Sequence, residues 1–493
     1  MTPPRLIVVS NRLPFTLQAG AGGISARPSS GGLVTALTPI LRQTGGCWVG
    51  WTGTEYAPEL DTFVRSYAEA PFSLRPVFLT ETEKRYFYHG CSNEILWPLF
   101  HDLQSRCNFD PDYWDVYRDV NEKYADAVEA VAHRHDFVWI HDYHLIPLAD
   151  ALHARDLRLS TAYFHHIPFP APDIFEKLPW RNEILAGLLQ FDTVGFQTAR
   201  DRRNFVASVR RCLRDVHVRN LGPRLLVSAG GFCTRAGTFP ISIDSRALEE
   251  EAGRPAVAAR AAEIRGRFGG EQIILGVDRL DYTKGIPERL IALRLLLRSH
   301  SELRGRICLL QVVVPSREEI PAYHDLRLRI EHLVAEINGE FGTAEWTPIR
   351  YLYRSIPRDE LVAFYRAADV ALITPLKDGM NLVAKEYCAA RVDDAGCLVL
   401  SEFAGAAEEL KDGALLVNPY DAHGVATALR RALNMSASEK CARMRRMRLV
   451  IRQHDVFAWC RAFCGSAISR MPAAEQPIPV YLVRPVAAHA AAS

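Results

Sequence analysis

Short apolar runs alternate with longer amphipathic stretches along almost the whole chain, and few architectures can bury such a pattern. Strands are predicted at 6–10, 137–141, 161–165 and 193–197, and in the second half at 273–278, 307–314, 349–353, 370–375, 397–401 and 415–418. Apolar runs this short, with little polar alternation, fit strands covered on both faces by helices, as in a parallel sheet. Helices are predicted at 182–189, 287–298, 323–337, 358–367 and 422–433. The fold class is therefore α/β, with two doubly wound, Rossmann-like domains. A proline-bearing extended segment at 238–244 marks the join. The expected division is 1–240, 241–452, a helix at 453–470 packing back on the first domain, and a loose Pro- and Ala-rich tail at 471–493.

Strand after strand ends in a polar cluster: Ser10-Asn11-Arg12, His141-Asp142, His165-His166, Asp278-Arg279, Pro315-Ser316-Arg317, Lys377-Asp378 and Ser401-Glu402. Ligands of open α/β sheets bind at the carboxyl ends of strands, so these clusters point to one cleft between the halves. Charged strand ends are common in any α/β protein, but that does not explain why both halves bring arginines and lysines.

The 59 basic and 57 acidic side chains leave a net charge of +2, which argues against a general nucleic-acid or acidic-membrane binder. Eleven cysteines stand without a CxxC pair, so neither a disulfide framework nor a zinc ribbon is expected. The apolar run after Arg5 is too short for a signal-peptide core, and the expected location is the cytoplasm.

Three segments carry chemistry. In 276–289, Arg279 and Lys284 lie five apart before a helix with Pro287 near its start, an arrangement able to hold a diphosphate. Alone, the pair also reads as two solvated surface cations, and GxxxxGK[ST] is absent. In 374–386, Asp378-Gly379 is turn chemistry, Asn381 opens a helix, and Glu386 is placed to accept ribose hydroxyls or to be a solvated carboxylate. The glycine pairs Gly22-Gly23 and Gly31-Gly32 admit close backbone approach, and the second precedes a helix. No GxGxxG follows the first strand, which disfavours a nucleotide-dependent oxidoreductase. His141, His144 and His165-His166 lack metal-ligand spacing, and hydrogen-bonding or packing roles account for them better.

Taken in order, Ser10 to Pro14, Trp48 to Trp51, Asn93 to Pro98, His141 to Leu145, His166 to Pro170, Gly195 to Thr198, Arg279 to Gly285 and Asp378 to Glu386 resemble the trehalose-6-phosphate synthases, retaining glycosyltransferases of the GT-B fold. The resemblance implies glucose transfer from a nucleotide-glucose, UDP-glucose or else ADP- or GDP-glucose, to glucose 6-phosphate. It implies an acceptor site of Arg12, Tyr88, Trp97, Asp142 and Arg317. It implies a donor site of Gly31, Gly32, His166, Arg279, Lys284, Ile356, Asp378, Gly379, Met380, Asn381, Leu382, Val383 and Glu386. Arg279, Lys284, Asp142 and His166 are the expected catalytic set. No cofactor or metal is expected, the fixed cations neutralising the leaving diphosphate. Two departures stand out: Asp278 where many members have Glu, and Cys91 in place of a bulkier residue. No DxDGT-like motif is found, so a separate phosphatase is expected downstream, and homo-oligomers are common in the family. The rival expectations are a relative using another phosphorylated acceptor, such as a glucosylglycerol-phosphate synthase or a pseudo-glycosyltransferase, and a non-catalytic sugar-phosphate sensor.

Overall fold

The computed structural model describes residues 4–20, 23–28, 31–66, 72–155, 157 and 159–468. Gly22 and the 471–493 tail lie outside the described residues.

The first half is built on a nine-stranded sheet. Its spatial order is Phe72–Val77, Gly46–Trp51, Leu6–Arg12, Phe137–His141, Ser160–His165, Thr193–Phe196, Phe232–Thr238, Arg224–Ala229 and His217–Leu221. The first seven strands are parallel, and the last two finish an antiparallel meander. The second half carries a six-stranded parallel sheet: Ile349–Tyr353, Ile307–Val314, Gln272–Arg279, Val370–Ile373, Cys397–Ser401 and Leu415–Val417. Both sheets centre on apolar residues buried on each face, such as Val138 and Trp139 or Ile274 and Leu275.

All ten predicted strands form, with ends within two residues of expectation. The two strands at one side of the first sheet carry weaker signals, because glycines interrupt Gly46–Trp51 and a proline sits in Phe72–Val77. The polar edge strand His217–Leu221 reads as loop by composition.

Chain order gives the parallel part of each sheet one reversal. From Leu6–Arg12 the chain steps outward through Gly46–Trp51 to Phe72–Val77, then returns on the other side as Phe137–His141. The second sheet reverses likewise between Gln272–Arg279 and Val370–Ile373. At such a switch point flanking connections leave in opposite directions and open a crevice at the carboxyl ends. Arg12 and Asp142 flank the first crevice; Arg279 and the 374–378 loop flank the second.

The last helix, Val456–Ile468, leaves the second half and covers the first sheet. Phe463 stacks on Trp139 at 5.0 Å between centroids, and Trp459 lies 4.9 Å from the same ring. Arg235 Nη2 donates to the Ala467 carbonyl (2.8 Å) and Arg224 Nη1 to that of Ser466 (3.1 Å), satisfying carbonyls at the helix end. No helix among the described residues is long and apolar enough to cross a membrane.

Candidate active site

On the first-half wall, Arg12 ends its strand with its guanidinium carbon 4.4 Å from the Trp51 ring centroid and 5.2 Å from that of Tyr88. Tyr88 lies on a π-helix, Lys84–Leu96, that runs directly into the turn Trp97–Phe100. Such wide helical turns are rare and concentrate at functional sites. Trp97 is buried, and Arg317 of the second half lies over its ring at 4.3 Å, with Arg279 at 6.0 Å. Burial alone would raise the Tyr88 phenol, but Arg317, Arg12 and Arg279 outweigh it and hold the group below its ordinary value. Three guanidiniums therefore lie against three aromatic rings, Trp51, Tyr88 and Trp97, an arrangement that favours an anion.

Arg317 is fixed from several sides. Its Nη1 donates to the Tyr323 hydroxyl (2.6 Å) and lies 3.5 Å from Asp281 Oδ2, while Nη2 donates to the Tyr143 hydroxyl (3.4 Å). Tyr143 in turn donates to Asn93 Oδ1 at 3.0 Å.

Asp142 follows the strand Phe137–His141 with φ 74° and ψ 166°, a region where only glycine rests without strain. The fold holds it there: its N–H donates to the Phe164 carbonyl (2.9 Å), and Oδ1 accepts from the His166 N–H (3.2 Å). Burial pushes its carboxyl up to about 7, against the opposing pull of the Tyr143 and His166 amides and of Arg279 and Arg317.

The His166 ring is already engaged. The Gln197 Oε1 accepts from the Ile241 N–H (2.9 Å), which turns Gln197 Nε2 toward His166 Nδ1 at 3.4 Å; His166 Nε2 then meets His141 Nδ1 at 3.0 Å. Burial, with His165 adding to it, lowers the His166 ring to about 3, so it is neutral at working pH. What His166 presents to the second half is its carbonyl. A Cβ on Gly379 would lie 2.0 Å from that oxygen, so only glycine admits this contact. His144 stacks on Tyr88, and no group of His, Cys, Asp and Glu among the described residues could hold a metal ion.

On the second-half wall, Arg279 ends its strand exposed to the cleft, and a 3-10 turn, Tyr282–Lys284, follows. Gly285 at φ 63° turns the chain into the helix Ile286–Ser299. Lys284 Nζ lies 2.5 Å from Asp378 Oδ2, to which Asn381 Nδ2 also donates (3.2 Å). Burial acts to raise the Asp378 carboxyl, yet Lys284 outweighs it and holds the group below the carboxylate range. Lys284 and Asp378, both expected at the donor site, are each other's partners. Asn381, at φ 77°, caps the helix Leu382–Ala390, with Oδ1 accepting from the Ala384 N–H. Met380 is buried, and its carbonyl accepts from the Ala406 N–H. Leu382 and Val383 are half-buried on the opening turn, and a Cβ on Gly32 would come within 2.7 Å of Leu382 Cδ1. Gly31 and Gly32, at the start of Gly32–Thr44, therefore lie across the cleft from this helix. Glu386 is no solvated carboxylate: its Oε2 accepts from the Tyr365 hydroxyl at 2.8 Å, and burial raises its carboxyl. Ile356 is half-buried in the loop after Ile349–Tyr353.

The structure thus gathers Arg12, Tyr88, Trp97, Asp142, Arg279 and Arg317 at one mouth and sets Lys284, Asp378 and the Leu382 helix beside it. Sequence reasoning did not assign Trp51, Tyr143 or Tyr323 to it. Each is an aromatic at the end of a strand or on a helix that reads as ordinary core until its guanidinium partner is in place.

The sequence profile of glycosyltransferase family 20 matches residues 4–468. The bifunctional trehalose-6-phosphate synthase/phosphatase of Thermoproteus tenax is 43% identical over 96% of this chain, which spans 64% of that protein's length. The trehalose-6-phosphate synthase of Mycobacterium marinum is 43% identical with 94% of both chains covered. The crystal structure of an alpha,alpha-trehalose-phosphate synthase (UDP-forming) from Burkholderia xenovorans in complex with glucose-6-phosphate superposes with a TM-score of 0.87. It is 36% identical and covers 94% of this chain and 99% of its own. With two reversal crevices facing each other and a match running almost end to end, this chain belongs to glycosyltransferase family 20.

Proposed function

We propose that this protein is an α,α-trehalose-6-phosphate synthase that transfers glucose with retention from UDP-glucose to glucose 6-phosphate, releasing UDP. One observation carries the reading: guanidiniums from both halves, Arg12 from the first and Arg279 and Arg317 from the second, meet around Tyr88 and Trp97. The named activities of the relatives support the same substrates.

In this reading Arg12 and Arg317 grip the 6-phosphate with planar donor forks. Asp142, ionised above about pH 7, accepts acceptor hydroxyls. Arg279 and Lys284, with the amides opening the Gly32 and Leu382 helices, stabilise charge that grows on the leaving diphosphate. Lys284 exchanges part of its contact with Asp378 for a phosphate oxygen, which frees the carboxylate to face a glucose hydroxyl. The glycosidic C–O bond to UDP breaks as the acceptor hydroxyl oxygen attacks from the same face, and its proton passes to the departing phosphate oxygen. That path needs no enzymic nucleophile, whereas double displacement would place a carboxylate at the anomeric carbon. Glu386 accepts ribose hydroxyls, and Ile356 lies by the base.

The test is nucleotide release from UDP-, ADP- and GDP-glucose, each crossed with glucose 6-phosphate, glucose and other phosphorylated acceptors. Release with glucose 6-phosphate far above that with glucose is expected. Equal rates with glucose contradict the phosphate grip, and no release with any pair revives the non-catalytic sensor.

A further inference from the structure

Arg289 has no place in the substrate contacts above, yet it is a buried cation with four hydrogen bonds around the second-half cleft. It projects from the first turns of Ile286–Ser299 with its side chain fully buried. Its Nη1 donates to Asp278 Oδ2 (2.5 Å) and to Gln311 Oε1 (3.1 Å), its Nε to Thr374 Oγ1 (3.2 Å), and its Nη2 to the Lys284 carbonyl (3.4 Å). Gln311 spends its Nε2 on the Gly276 and Val312 carbonyls, so its oxygen is committed to the guanidinium. Gly276 leaves the room: a Cβ there would stand 2.6 Å from Nη1.

The four acceptors are not a random sample of the core. Asp278 immediately precedes Arg279. The Lys284 carbonyl belongs to the residue that carries the ammonium. Thr374 begins the loop that ends at Asp378, and that loop is tied again to the same turn where the Leu376 N–H donates to the Thr283 carbonyl (2.7 Å). One planar group thus spans the switch point of the second sheet and joins the segments that bear Arg279, Lys284 and Asp378. A buried ion pair is a poor source of stability, because desolvation offsets its attraction, and an apolar core of equal volume would serve that purpose as well or better. A rigid fork with fixed donor directions does what an apolar core cannot, which is to set register.

We infer that Arg289 is a positioning residue that holds Arg279, Lys284 and Asp378 in the geometry needed to take charge from the leaving diphosphate. The inference rests on the donor assignment proposed above. A misplacement of the cations by a fraction of an ångström weakens stabilisation of the transition state more than ground-state binding, so the effect falls on kcat.

The experiment compares the full-length wild type with Arg289→Lys and Thr374→Val in nucleotide release from UDP-glucose with glucose 6-phosphate, alongside thermal unfolding of each. Arg289→Lys keeps the charge and loses the fork; its kcat should fall about tenfold or more while the KM for UDP-glucose changes less than about threefold. Thr374→Val removes a single acceptor with little change of volume and leaves the buried Nε unpaired; its kcat should fall by about threefold while Tm drops by no more than about 5 °C. The inference is overturned if Arg289→Lys keeps kcat within twofold of wild type, or if its kcat falls only together with a collapse of Tm while Thr374→Val is fully active. A wild type that releases no nucleotide overturns the donor assignment itself, and is told apart because it appears before any substitution is made.

Discussion

Asp142 concentrates the tension between stability and function in one residue. It sits in a backbone region that costs about 1–3 kcal/mol for a side-chain-bearing residue, and its carboxyl is pushed up to about 7 by burial. A carboxyl raised on folding contributes its full stability only below its unfolded value. That contribution is lost progressively as the pH rises through the folded value, here from about 4 to about 7. Asp142→Asn should therefore unfold at a higher temperature than wild type at pH 8, with the gap closing toward pH 4.5, in paired thermal scans. The same substitution should raise the KM for glucose 6-phosphate at pH 8, and in the wild type that KM should fall as the pH rises through about 7. A KM flat from pH 6 to 8.5 would contradict the role given to the carboxylate. Glu386 makes a second case. Tyr365 donates to it and partly offsets the burial that raises its carboxyl. Tyr365→Phe should push that carboxyl higher, so the KM for the donor should rise by about five- to tenfold at pH 6 and by less at pH 8.5. A rise equal at both pH values would mean lost packing rather than lost charge. Neither property was legible in the sequence. Asp142 showed as a polar strand end and Glu386 as a helix carboxylate, but a shifted carboxyl depends on groups that only the fold brings near.

Among the elements, those governed by local periodicity were legible and those governed by partners were not. Parallel strands such as Ile307–Val314 and helices such as Ala422–Leu433 declare themselves, because their apolar spacing is dictated by burial on known faces. The π-helix Lys84–Leu96 does not, since its wider turn matches neither a period of 2 nor one of 3.6. Tyr88 and Trp97 were accordingly named through resemblance and not through pattern. The helix at the end of the chain is expected from sequence to pack back on the first half, but the contacts it makes there, Phe463 and Trp459 against Trp139, are tertiary. Phe463 is fully buried there, and Gly195 leaves space for its ring. Phe463→Ala should lower the free energy of unfolding by about 3–5 kcal/mol in urea titrations. A loss below about 1 kcal/mol would show that the helix is not part of the first-half core.

At the scale of the whole molecule, function follows from placing two reversal crevices face to face. The halves are joined across the cleft by Lys377 with Asp102 (2.5 Å) and by Glu319 with Lys84 (3.2 Å) and His89 (3.0 Å), in addition to the rings and guanidiniums of the site. The polar strand ends in the sequence already implied a shared cleft. The pairing of one arginine with a particular ring across it is a tertiary fact that no spacing encodes. The central claim is that fixed cations at this meeting point draw the pyrophosphate off the sugar, and Arg279 tests it most directly, because it is exposed to the cleft. The decisive measurement is kcat/KM for UDP release with glucose 6-phosphate in Arg279→Ala. A fall of about a hundredfold or more, with Tm within about 2 °C of wild type, is predicted; a value within threefold of wild type would contradict the account.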